Sequence, residues 1–176
     1  MTRSKQAFIF IAVALVALAA GFYLHPLNRE AGAPAAVTPP GLLDTALESL
    51  DGGRKPLRTW AGKVLVVNFW ATWCGPCRKE IPEFVRMQQS LGGRGLQFIG
   101  IAIDEKDKVQ AFVREMGINY PILVGELDAV EMSRSLGNEM GGLPFTVVVD
   151  RSGKVVHTVL GATTEAKLEA VLEGLY

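Results

Sequence analysis

A chain of 176 residues has room for one ordinary globular domain and a short appendage, which excludes a multidomain enzyme. Eighteen basic residues balance eighteen acidic ones, and no basic run appears beyond the N-terminus, so the electrostatic footprint of a nucleic-acid-binding surface is absent. Hydrophobic residues make up 49% of the chain, unevenly spread, and only two are cysteines, too few for a disulfide-stapled scaffold.

Residues 7–24, AFIFIAVALVALAAGFYL, carry no charge and no amide. Arg3 and Lys5 precede them, and His25, Pro26, Asn28 and Arg29 follow. A membrane-crossing helix needs roughly 17–25 apolar residues, which this run just meets, with Tyr23 where an interfacial aromatic would lie. The alternative is a cleaved signal peptide, with Ala17-Leu18-Ala19 as the small-residue cleavage site. The anchor is the favoured expectation. In both readings Arg3 and Lys5 hold the N-terminus in the cytoplasm and the remainder is exported. Residues 1–27 are therefore expected to be a signal or anchor. Residues 28–40, NREAGAPAAVTPP, form an Ala/Pro-rich spacer, and residues 41–176 the folded domain.

Within that domain, residues 42–57 suggest a short hairpin turning at Asp51-Gly52-Gly53. Residues 64–70, VLVVNFW, form an apolar run rich in β-branched and aromatic side chains, the pattern of a strand buried on both faces. Helical spacing follows over 77–91, with Ile81, Phe84, Val85 and Gln88 on one face and Gly92-Gly93 as the stop. A second buried strand is expected at 96–103, and an amphipathic helix at 106–116 through Val109, Phe112, Val113 and Met116, stopped by Gly117. A short strand at 122–124 and a helix at 129–136 closed by Gly137 come next. Strands at 146–150 and 154–160 flank a turn at Arg151-Ser152-Gly153-Lys154, and a last helix over 164–176 has Thr164 as its N-cap. Strands separated by helices are expected to pair in parallel and the final hairpin antiparallel, giving a mixed sheet with helices on both faces.

Cys74 and Cys77 stand in Trp73-Cys74-Gly75-Pro76-Cys77, where a buried strand gives way to a helix. A staple across two intervening residues removes little loop-closure entropy, and a domain of this size builds its own core, so the pair reads as chemistry. A helix N-terminus favours an anion through its unpaired N–H groups and macrodipole, which lowers the pKa of a thiol at Cys74. Pro76 fits the first helical turn, where its missing N–H costs nothing. Cys77, three residues on, shares a helical face with Cys74 within disulfide reach. The chemistry implied is thiol–disulfide exchange: a Cys74 thiolate attacks a client disulfide, and Cys77 resolves the mixed disulfide.

VVNFWATWCGPCRKEIP at 66–82 resembles the thioredoxin superfamily, and within it the membrane-anchored, periplasm-facing TlpA/ResA-like branch. The resemblance extends over roughly 44–176 and includes Gly62-Lys63, Gly142-Leu143-Pro144 and Gly161. It implies an α/β thioredoxin-like fold: a central mixed β-sheet flanked by helices on both faces, with an N-terminal β-hairpin extension and an inserted βα-type element. It implies that Cys74 and Cys77 form the redox-active disulfide, and that Trp73, Gly75, Pro76, Leu143 and Pro144 line the substrate site. Pro144 matches the family's cis-proline, and Glu80 matches the acid placed near the second cysteine, where it could exchange the proton Cys77 must lose. Asn68 departs from the buried aspartate of many thioredoxins, so a general base at that position is missing and Glu80 is a candidate substitute. Trp70 is expected in the core.

The resemblance further implies a reducing enzyme with no cofactor, monomeric and periplasmic. Its expected partners are disulfide-containing exported proteins and a membrane thiol donor, and cytochrome c maturation or metal-site assembly is the expected setting. Rival readings are weaker. A structural zinc site needs four ligands, and besides Cys74 and Cys77 only His25, at the membrane end of the spacer, and His157, in the final hairpin, exist; a copper site would be expected to show CxxxC, one residue longer than the spacing here. A thiol peroxidase would need Thr or Ser where Ala71 stands. A disulfide-forming oxidase and a non-catalytic binding module stay open as alternatives.

Overall fold

The computed structural model describes residues 38–175. The expected signal or anchor at 1–27, and the spacer up to residue 37, lie outside the described residues. Among the described residues no helix is long and apolar enough to cross a membrane.

Seven strands form one sheet: β1 (Ala46–Ser49), β2 (Arg54–Pro56), β3 (Val64–Trp70), β4 (Leu96–Ala102), β5 (Ile122–Val124), β6 (Phe145–Val149) and β7 (Val155–Leu160). Their order across the sheet is β2-β1-β5-β4-β3-β6-β7. The helices are α1 (Gly75–Leu91), α2 (Lys106–Met116), α3 (Leu127–Ser135) and α4 (Glu165–Leu172). The expected hairpin is present as antiparallel β1 and β2, and a further helix–strand–helix run, α2, β5 and α3, stands between β4 and β6. Thr38 docks on the domain, its Oγ1 accepting the Val155 N–H at 2.7 Å.

Every residue of β3 and β4 is buried, because both are interior strands with side chains packed on both faces. On one face Val64, Val66 and Trp70 meet Ile81, Phe84 and Met87 of α1, Val109 and Phe112 of α2, and Leu168 and Leu172 of α4. On the other, Leu65, Val67 and Phe69 meet Ala129 and Met132 of α3, with Leu42 and Leu57. Phe84 and Phe98 stack with ring centroids 5.1 Å apart and tie α1 to β4. Helices do cover both faces, three on one and α3 on the other.

Three expectations need correction. β6 follows a helix yet pairs antiparallel with β3, not parallel. β5 ends at Val124, level with Ala102 and Trp70, and β6 begins at Phe145 opposite Phe69, so chain exit and re-entry lie at one end of the sheet. α3 and the loop 136–144 bring the chain back to that same end, so β6 starts where β5 stopped and runs the opposite way to β3. The inward stripe of α1 is Cys77, Glu80, Ile81, Phe84, Met87 and Leu91, with Val85 half-buried against the same core as expected; Glu80 and Met87 were not expected on it, and Gln88 is not part of it. Gln88 instead works at the helix edge, where its Oε1 accepts the Phe98 N–H at 2.7 Å. The last helix ends at Leu172, before Gly174 enters the left-handed region at φ 81°.

Candidate active site

β3 ends at Trp70 and the chain turns through Ala71 to Trp73 before entering α1. Two contacts set that turn: the Cys74 N–H reaches the Ala71 carbonyl at 3.1 Å, and the Thr72 N–H donates to Asp104 Oδ2 at 3.1 Å. The Thr72 hydroxyl donates to the same carboxylate. Cys74 is the N-cap of α1, in extended backbone at φ −80° and ψ 103°, and its Sγ accepts the Cys77 N–H at 3.3 Å. This is the sulfur-at-a-helix-terminus arrangement that favours a thiolate. Gly75 and Pro76 occupy the first helical positions, as a proline without a needed N–H permits.

Cys74 and Cys77 are joined as a disulfide, with Cα atoms 5.3 Å apart. Cys77 is wholly buried and Cys74 is 4% exposed. Trp73 projects beside them at 70% exposure, whereas Trp70 lies in the core against Phe112, centroids 5.1 Å apart. Arg78 lies with its guanidinium carbon 4.8 Å from the Phe112 centroid, bracing the first turn of α1 on α2.

The Leu143–Pro144 peptide is cis. The pairing of Phe69 with Phe145 sets Pro144 level with Trp70, at the end of the sheet where the motif emerges. Leu143 is half-buried and packs against both core layers. Asn138, which the sequence did not single out, holds the approach to this proline. It donates to the Gly142 carbonyl at 2.8 Å and accepts the Gly142 N–H at 3.0 Å. From the other side, the Gly161 N–H donates to the Pro144 carbonyl at 2.8 Å.

Glu80 is not a surface glutamate. It is 2% exposed, one turn after Cys77 on the inward stripe of α1. Its Oε1 accepts from Asn68 Nδ2 at 2.9 Å and its Oε2 accepts the Thr163 N–H at 3.0 Å. Burial raises its pKa from the ordinary 4.5 to about 7, helped by the negative charge of Glu83 and opposed by the bonds from Thr163 and Asn68. Tyr120, also buried, has its phenol pushed up by desolvation and then by the Glu80 charge. Asn68 Nδ2 donates in addition to Thr146 Oγ1 at 3.0 Å. Thr146, Thr163 and Tyr120 carry no motif that would have marked them.

The motif, the cis proline and the buried acid thus lie at one end of the sheet and on one helix. Residues 31–172 match the family model described as Redoxin. The chain belongs to the redoxin family. This redoxin is 31% identical, over 125 residues covering 70% of each chain, to the thiol-disulfide oxidoreductase ResA of Bacillus thuringiensis (strain Al Hakam). It is 29% identical to ResA of Bacillus subtilis (strain 168), over 173 residues covering 96% of this chain and 92% of that one. A solved thiol:disulfide interchange protein of the thioredoxin family from Chlorobium tepidum TLS superposes with a TM-score of 0.68 at 28% identity, covering 81% of this chain and 95% of that one. The chain is therefore a ResA-like member of the thioredoxin superfamily, with that superfamily's fold, and a thiol–disulfide oxidoreductase.

Proposed function

We propose that this redoxin reduces disulfides of exported client proteins through Cys74 and Cys77, with Glu80 as the proton acceptor for Cys77. The observation that carries the reading is a buried carboxyl, titrating near neutrality, one helical turn below the disulfide-bonded pair. A Cys74 thiolate attacks one sulfur of the client disulfide; that S–S bond breaks, and the leaving client sulfur takes up a proton. Cys77 gives its proton to Glu80, and the resulting thiolate attacks the Cys74 sulfur of the mixed disulfide. The second client sulfur leaves, Cys74–Cys77 is oxidised, and the client has gained two electrons. Trp73, Gly75, Pro76, Leu143 and Pro144 form the surface on which the client chain lies.

A membrane dithiol protein returns the pair to its reduced form. Residues 1–27 place the domain on the periplasmic side of the membrane, as an anchor or as a cleaved signal. The clients are exported proteins whose cysteines must be free, an apocytochrome c or a copper-site assembly factor among them. Gly75-Pro76, the dipeptide of reducing thioredoxins, supports the direction of electron flow. Equilibrating the pair against glutathione and dithiothreitol tests it. A midpoint well below the glutathione couple is expected; a midpoint near that of a strong oxidant, with disulfide formation in a refolding assay, would overturn the reductase reading.

A further inference from the structure

Asn68 lies mid-β3, between Val66 and Trp70, on the face that α1 covers. An amide NH2 has two hydrogens, and both are used: one on Glu80 Oε1, the other on Thr146 Oγ1. Thr146 is its cross-strand partner in the β3–β6 register, so strand pairing delivers the hydroxyl that holds the amide plane. Asn68 Oδ1 is buried with no partner among the described residues. Turning the amide over would point Oδ1 at the Glu80 carboxylate, acceptor against acceptor. The orientation that leaves Oδ1 unpartnered is thus the one that keeps a donor on Glu80.

We propose that Asn68 is a positioning residue for the exchange reaction: locked by Thr146, its NH2 group holds Glu80 Oε1 beneath Cys77 and favours the ionised carboxylate that takes the Cys77 proton. The inference rests on the reading of Glu80 as that acceptor. It also gives a physical reason for asparagine here. An aspartate at 68 would set a second acceptor-only carboxylate against Glu80, and two such groups share one proton. The remaining groups around Glu80 are Glu83 on α1, Tyr120 ahead of β5 and the Thr163 N–H ahead of α4, with Cys77 one turn earlier on the same buried stripe. All of these stay unchanged in the variants below.

The reduced full-length protein, loaded at Cys74 with thionitrobenzoate, releases that group as Cys77 attacks; its rate is read by stopped flow from pH 5 to 9. Wild type is expected to show an acid limb centred near 7. N68L moves that limb to higher pH, slowing release roughly tenfold at pH 6 for a one-unit displacement. T146V moves it in the same direction by less, and all converge at high pH on the wild-type plateau. E80Q removes the limb, and N68L added to E80Q changes nothing further. Should N68L fail to fold, T146V, which frees the amide without touching Glu80, carries the test. Limbs that stay in place in folded Asn68 and Thr146 variants, while E80Q loses its own, overturn the role of Asn68 and leave Glu80 standing. An intact limb in E80Q overturns the Glu80 reading itself.

Discussion

Glu80→Gln separates a buried acid from a merely packed one through stability. In the folded oxidised protein Glu80 titrates near 7, whereas in the unfolded chain it returns to its ordinary 4.5. Between those values the folded state holds a proton that the unfolded state has released. Stability therefore falls as pH rises through this window. At about 1.4 kcal/mol per pH unit, the loss reaches roughly 3 kcal/mol by pH 8. Glutamine never ionises and escapes that loss. Its NH2 group, however, must face either the Asn68 donor or the Thr163 N–H, at a cost of about 1–3 kcal/mol.

The two effects nearly offset at pH 8, so the slope decides. Guanidinium unfolding of the oxidised protein at several values between pH 4.5 and 8 should show wild type losing roughly 3 kcal/mol and E80Q staying level once shared titrations are subtracted. Asp104 and Asp150 do not interfere. Burial raises Asp104, but the combined bonds from Thr72 and Glu105 outweigh it and hold the carboxyl low; the Ser152 bond does the same at Asp150. Both contribute stability that is lost as pH falls below 3.8, outside the window. Equal slopes in wild type and E80Q would refute the reasoning.

Trp73→Ala should leave unfolding stability within about 0.5 kcal/mol of wild type, because the ring is largely exposed, yet lower kcat/KM for a folded protein disulfide and spare turnover of a small disulfide. Equal loss on both substrates would show that Trp73 acts on the cysteines and not on the client. Gly100→Ala would place a Cβ 2.6 Å from Ile122 Cδ1 and 2.9 Å from Trp70 Nε1, so a destabilisation of about 1–3 kcal/mol is expected; a wild-type denaturation midpoint would contradict it. Cys74→Ser should abolish dithiothreitol-driven insulin reduction, and retained turnover would place the chemistry elsewhere.

The central strands were legible because an interior strand leaves an uninterrupted apolar run, as in residues 64–70, whose bounds agree with β3. The place of the motif was legible for a local reason too: Cys74, Pro76 and Cys77 are fixed by helix-start geometry within four residues. The direction of β6 was not, since it depends on where a nine-residue helix leaves the chain and not on any feature of 145–149. Glu80 was named from resemblance, but the hydrogen bonds that hold it come from Asn68, itself held by Thr146, and from Thr163. Thr163 lies 83 residues from Glu80 and Thr146 lies 78 from Asn68, distances that no periodicity spans. Asn68 was read as a missing acid, whereas the fold uses it as a donor to the acid that is present.

The most direct test of exchange through this pair uses Cys77→Ser, which leaves Cys74 as the single thiol. Mixed with a disulfide-bearing protein, it should accumulate a covalent adduct that peptide mass mapping locates at Cys74 and that dithiothreitol cleaves. Cys74→Ser, whose remaining thiol is wholly buried, should form none. Adducts of equal yield through either cysteine, or none through a folded and reduced Cys74, would contradict the account.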